Sequence, residues 1–186
     1  VQLRIHATGL NFSDVLKAMG LYPGLTDQEP PLGIECAGVV TAVGPDAKRF
    51  KVGDEVMGVV PYSFASHGTT AEFALVHKPA SLSYIDAATV PITYLTAHYA
   101  LCWLARIQAG DRVLIHAAAG GVGLAAIQIA QHIGAMVYAT AGSDIKRDHI
   151  RSLGVENIYN SRGTEFATQI LKDTDGHGVD IVLNSL

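Results

Sequence analysis

A chain of 186 residues, 49% hydrophobic and 16% charged, has room for one domain or two small ones with a real core. Its 13 basic and 17 acidic side chains sum to a formal charge of −4 with no basic block, which argues against nucleic acid and anionic membrane surfaces as partners. Mean hydropathy is high at +0.27, yet no apolar run approaches the roughly 20 residues that span a bilayer, so the apolar content suits a parallel sheet buried on both faces.

In chain order, the sequence opens inside a strand-like run (1–6) and closes just after another (179–184), and it reads as a fragment of a longer polypeptide. Ser13 is placed to cap a short helix with Val15, Leu16 and Met19 on one face and Gly20 as its stop. Alternating runs at 35–43, 55–60 and 71–76, bounded by glycine and proline, predict a small β-rich domain over residues 1–88. Pro91 changes the pattern. A helix is expected over 94–106. Strands and helices then alternate at 112–117, 122–134, 136–140, 144–153, 158–159, 165–172 and 179–183. This βαβαβ order predicts an α/β domain with a parallel sheet in residues 89–186. Two cysteines, Cys36 and Cys102, are too few for a disulfide scaffold or a zinc ribbon, so a reducing, cytoplasmic setting is expected.

The segment from Val113 to Gly123 reads as a buried strand, a glycine turn and a helix start. Positions 118, 120 and 123 follow A-x-G-x-x-G, with Ala118 in place of the usual first glycine. Gly120 would let the backbone approach a pyrophosphate, Gly123 would let the helix pack on the strand, and the free N–H groups around Gly121 and Val122 would face the phosphates. NAD enzymes usually place an acid roughly 20 residues further on, to grip a ribose 2′-hydroxyl. Here the second strand ends in small residues, Ala141 and Gly142. Ser143 can donate to a 2′-phosphate, and Lys146 or Arg162 can neutralise it, so NADPH is expected. Asp144 either caps the next helix or meets an NADH ribose. His67, His98 and His116 are expected to be surface or packing residues, since none is spaced for metal binding.

Several further stretches complete the picture: Asn11-Phe12-Ser13-Asp14-Val15-Leu16, Leu21-Tyr22-Pro23-Gly24, Glu35-Cys36-Ala37-Gly38-Val39-Val40, Val52-Gly53-Asp54-Glu55-Val56-Met57-Gly58, Val90-Pro91-Ile92-Thr93-Tyr94-Leu95-Thr96-Ala97 and Leu183-Asn184-Ser185-Leu186. With the glycine turn, they resemble the medium-chain dehydrogenase/reductase superfamily, in particular the enoyl reductase domain of modular polyketide and fatty acid synthases. The resemblance implies a GroES-like β-domain plus a Rossmann domain, both incomplete here, with the active site between them. Zinc-dependent relatives carry a cysteine near Asn11 and a Gly-His-Glu motif near Gly33-Ile34-Glu35; here the cysteine is absent and Ile34 replaces the histidine, so no metal is expected.

The resemblance further implies Tyr22 as a proton donor or a wall of the pocket, and Asn11 as a support for the nicotinamide or a water, or simply a turn residue. Thr96 would touch the pyrophosphate or the nicotinamide ribose, or be an ordinary helix residue. Tyr159 and Asn184, near the ends of later strands, complete the expected cofactor set. Two further proton donors of the family would lie past Leu186. Three activities follow from this reading. The first is NADPH-dependent reduction of an enoyl thioester on an acyl carrier protein, among neighbouring synthase domains. The second is a free-standing NADPH quinone or enone reductase, and the third a non-catalytic dinucleotide binder. The apolar strand at 181–183 is expected at a sheet edge, which leaves a homodimer open.

Overall fold

Apolar residues alternate along the first strands, and that alternation gives the N-terminal sheet two packed faces. The computed structural model describes residues 1–24 and 30–185, so Leu186 of the last stretch quoted above lies outside the described residues. In chain order the first elements are β1 (Gln2–Thr8), α1 (Phe12–Ala18), β2 (Glu35–Ala42), β3 (Glu55–Val59), β4 (His67–Thr69), β5 (Leu75–His77) and α2 (Tyr84–Ala88). The strands form an antiparallel sheet in the order β4-β1-β2-β3-β5, with Leu3 opposite Val40 and Ala37 opposite Met57. Cys36 and Val40 go to one face with Leu3, Phe50, Val56, Val60 and Leu75. Ala37 and Met57 go to the other, against Ala87 and Ala88 of α2.

Two local expectations are corrected here. Helix α1 is capped by Asn11, not Ser13. The Asp14 N–H donates to the Asn11 carbonyl at 2.9 Å, and the Asn11 N–H donates back to Asp14 Oδ2 at 3.0 Å, which closes a ring at the helix start. The buried residue of α1 is Asp14, while Val15 and Met19 are exposed. The run at 71–76 begins as a 3₁₀ turn, Glu72–Ala74, because Glu72 Oε2 accepts from the N–H groups of Lys48 and Arg49 at 2.9 and 3.0 Å.

The helix expected over 94–106 is α3 (Pro91–His98) followed by a π-helical turn, Tyr99–Leu104. The Ala105 N–H reaches the Ala100 carbonyl at 3.0 Å, which widens the turn around the buried Leu101. The remaining elements are β6 (Arg112–Ile115), α4 (Gly121–Ile133), β7 (Met136–Ala141), α5 (Asp144–Ser152), β8 (Asn157–Asn160), α6 (Glu165–Asp173) and β9 (Ile181–Leu183). The strands are all parallel in the order β8-β7-β6-β9, as the alternating pattern predicts. Val113, Ile115, Val137 and Ala139 pack against Ala126, Ile127 and Ala130 of α4 and Ile150 of α5. Leu114, Tyr138 and Tyr159 pack on the other face against Ile170 of α6. The chain order reverses at β6, with β7 on one side and β9 on the other. In such sheets that reversal opens a crevice at the carboxyl ends of the strands. The two compact units are Val1–Ile92 and Thr93–Leu186.

Candidate functional site

Beyond β6 the chain turns sharply through Ala117, whose φ of 48° is unusual for a residue with a side chain. The Gly120 N–H closes the turn on the Ala117 carbonyl at 2.8 Å, and the Ala118 N–H ties it to the Thr140 carbonyl of β7 at 3.1 Å. Ala118 is fully buried beneath the turn. Gly120 is extended and forms the N-cap of α4, so Gly121 and Val122 open a helix whose first N–H groups have no carbonyl one turn back. Partial positive charge gathers there. Gly123 is set by packing: a Cβ would stand 2.6 Å from the Ala117 carbonyl oxygen and from Ala118 Cα.

The turn borders a cavity of about 410 Å³. Gly120, Gly142, Ser143, Lys146, Ser161 and Arg162 line it, so five of the residues singled out in the sequence come together. Ser143 caps α5, its hydroxyl accepting from the Lys146 N–H at 3.5 Å. Arg162 is steered over the end of β7 by bonds from Nε to the Gly142 carbonyl at 3.4 Å and from its N–H to Asn160 Oδ1 at 3.0 Å. Asp144 neither caps α5 nor lines the cavity; it pairs with Arg147 at 2.5 Å. The charged side chains of the lining are therefore Lys146 and Arg162, both cationic. Sequence reading missed Ser161; its signal was a polar residue directly after the third parallel strand.

Three expected residues stand elsewhere. Tyr159 is buried on the α6 face, where its hydroxyl donates to Asp173 Oδ2 at 2.8 Å. Burial first, and then Asp173, push that phenol well above its ordinary range. Thr96 is exposed on α3 and does not line the cavity. Asn184 is exposed just past β9. His116, at the carboxyl end of β6, shares a 3.0 Å hydrogen bond with Thr140 Oγ1 and meets Phe166 edge-on. Burial lowers its pKa, which favours the neutral ring.

In the first unit, Asn11 and Tyr22 flank α1. Asn11 Nδ2 donates to Glu35 Oε1 at 2.7 Å, and the Ile92 N–H donates to Glu35 Oε2 at 2.8 Å. Glu35 is 2% exposed, and burial raises its pKa. Asp14, equally buried, accepts from the Gly33 N–H at 2.9 Å. Tyr22 is 39% exposed, with Lys17 Nζ 5.4 Å from its ring centroid. The Cys36 thiol next to Glu35 is pushed up to about 12 by burial.

A parallel sheet, a glycine turn into a helix start and two cations over a cavity at the strand ends are the parts of a dinucleotide-binding α/β unit. Residues 1–86 match the family described as alcohol dehydrogenase GroES-like domain, and residues 121–186 match zinc-binding dehydrogenase. The chain belongs to the medium-chain dehydrogenase/reductase superfamily and is similar to polyketide synthase enoyl reductases. It is 51% identical, over its whole length, to a phenolphthiocerol/phthiocerol polyketide synthase of Mycobacterium tuberculosis, and covers 8% of that protein. The solved CurK enoyl reductase is 49% identical with a TM-score of 0.94; the match takes in all of this chain and 58% of that one. A quinone oxidoreductase of Pseudomonas syringae is 37% identical with a TM-score of 0.87, over 98% of this chain and 56% of that one.

The family description raises the question of zinc, and the donor set answers it. Asn11 and Ile34 offer no thiolate or imidazole, and both Glu35 oxygens already accept N–H groups. Among the described residues no group of three or more His, Cys, Asp or Glu could hold a metal ion. These residues do not fit a zinc site. Among the described residues, no helix is long and apolar enough to cross a membrane.

Proposed function

We propose that this chain is the core of an NADPH-dependent enoyl reductase domain of a polyketide synthase, acting on an α,β-unsaturated thioester carried by an acyl carrier protein. The observation that carries the cofactor choice is a cavity whose charged lining is Lys146 and Arg162, with Asp144 drawn away by Arg147. The substrate choice is supported by the likeness to the CurK enoyl reductase and to the mycobacterial polyketide synthase. The chain covers 58% and 8% of those two proteins, so the neighbouring synthase domains are part of this proposal. The setting would be cytoplasmic, and a homodimer is part of the same proposal.

When bound, NADPH supplies a hydride for the β-carbon of the enoyl thioester. The Ser143 hydroxyl donates to the 2′-phosphate, and Lys146 and Arg162 neutralise it. The N–H groups of Gly121 and Val122 hold the pyrophosphate, and Gly120 keeps side-chain bulk away from it. On family likeness, Thr96 would touch the pyrophosphate or the nicotinamide ribose, and Asn184 would be a further cofactor contact. Tyr22 holds, at its hydroxyl, the proton that the α-carbon takes, and Asn11 orients the reacting end.

The test is NADPH oxidation by the natural polypeptide that carries this sequence, with crotonyl-pantetheine and a naphthoquinone offered separately and NADH as the control. Turnover of the thioester with NADPH supports the proposal. The 37% identity to a quinone oxidoreductase favours the second reading, a quinone or enone reductase, and turnover of quinone alone would select it. Tight NADPH binding without turnover of either would leave a non-catalytic dinucleotide binder.

A further inference from the structure

The described part of the first unit keeps two carboxylates buried, Asp14 and Glu35, and neither forms an ion pair among the described residues. Burying such a group is costly unless its hydrogen bonds are met in full. Glu35 meets that condition with both oxygens, one taking the Asn11 side-chain amide and the other the Ile92 N–H in the first turn of α3. Its main chain is held as firmly: the Glu35 carbonyl accepts from Thr8 Oγ1 at 2.8 Å, Ser63 Oγ at 3.0 Å and the Gly9 N–H at 3.2 Å. The neighbour is trimmed to fit, since a Cβ on Gly9 would stand 2.6 Å from Glu35 Cδ. The carboxylate is thus fixed from its backbone to its tip.

We infer that Glu35 is a positioning residue that locks the Asn11 side-chain amide with its NH₂ on the carboxylate, leaving its carbonyl Oδ1 as the hydrogen-bond acceptor. A carboxylate only accepts, so it dictates which end of the amide faces it. Asn11 then offers the reacting end a fixed acceptor without sorting its two amide orientations on each turnover. This rests on the reading of Asn11 as an active-site residue.

Glu35→Gln separates this role from general stability. Glutamine has one acceptor and one donor at its tip, so it can satisfy only one of the Asn11 and Ile92 donors. In the natural polypeptide, E35Q is expected to lower kcat for crotonyl-pantetheine about tenfold, with NADPH affinity unchanged. Asn11→Ala should cost about as much, and the double variant no more than N11A alone, because Glu35 acts through Asn11. Losses that multiply in the double variant would overturn the inference.

A measurement free of turnover covers a failure of the enoyl reductase reading or of E35Q folding. In ¹⁵N spectra of the unsubstituted chain, the Asn11 side-chain amide should exchange with solvent about tenfold more slowly than the exposed Asn160 amide. Exchange as fast as that of Asn160 would sink the inference whatever the enzyme reduces. Slow exchange with no thioester turnover would keep the Glu35–Asn11 lock and reject the proposed substrate instead.

Discussion

Gly142 and Arg162 meet where β7 and β8 end: a Cβ on Gly142 would stand 2.7 Å from Arg162 Nε. The absent side chain is what lets the guanidinium lie across the end of β7 and donate to the Gly142 carbonyl. Gly142→Ala should therefore displace a flexible side chain at little cost in stability and weaken NADPH binding, while NADH binding stays level. Loss of one charge-assisted contact to a phosphate predicts roughly a tenfold rise in the NADPH Kd, or about 1.4 kcal/mol. Arg162→Ala and Lys146→Ala should each do the same in a fluorescence titration. An equal loss for both cofactors would reject the 2′-phosphate assignment.

Gly123 faces backbone rather than a movable side chain, so Gly123→Ala has nowhere to go. The helix α4 must shift off the turn, at a cost of about 1–3 kcal/mol. Gly44→Ala is the matched control, since a Cβ there meets nothing within 4 Å. Urea midpoints should separate the two variants clearly, and similar midpoints would refute the packing argument.

His116 gives the fold a pH dependence of known sign. Its pKa is lowered from 6.5 by burial, so the unfolded chain takes up this proton more readily than the native one. The contribution is complete above about pH 6.5 and is lost as pH falls through the lowered native value. Between about pH 7.5 and about pH 5, the native chain should lose more stability in urea than His116→Gln does. Equal losses would show that this ring does not titrate as its burial requires.

Tyr159 tests the site's outline from the opposite face of the sheet. Tyr159→Phe removes the hydroxyl that donates to Asp173 Oδ2 and should cost about 1 kcal/mol of stability. NADPH affinity should not change. A weaker Kd in Tyr159→Phe would return this residue to the cofactor site.

Hydrophobic period and glycine punctuation made the parallel unit legible: the helix expected over 122–134 is Gly121–Ile133, and the strand expected over 136–140 is Met136–Ala141. Local polar chemistry was harder to read. The start of α1 moved to Asn11 because the Asp14 carboxylate captures a main-chain N–H, which no apolar pattern records. Tyr159 was expected at the cofactor because β8 ends near it. Yet successive strand residues face opposite ways, and Tyr159 falls on the α6 side. Glu35 passed as an ordinary strand residue, since its two N–H donors come from positions 24 residues before and 57 after it. The cation pair was legible because Lys146 and Arg162 follow closely on strands whose ends were well marked.

The strand order of the second unit also sets a timetable for synthesis. β6 gains β7 quickly, since Val113 pairs with Val137, but its other neighbour arrives late: the Arg112 N–H bonds Asp180 Oδ2 across 68 residues. At a ribosomal pace of about 5–20 residues per second, one edge of β6 stays bare for roughly 3–14 s. That edge belongs to a strand reading Val113-Leu114-Ile115, and an unpaired apolar edge recruits whatever strand comes near. Chaperones that cover nascent chains would matter most over this interval, before Ile181–Leu183 has left the exit tunnel to pair with that edge of β6.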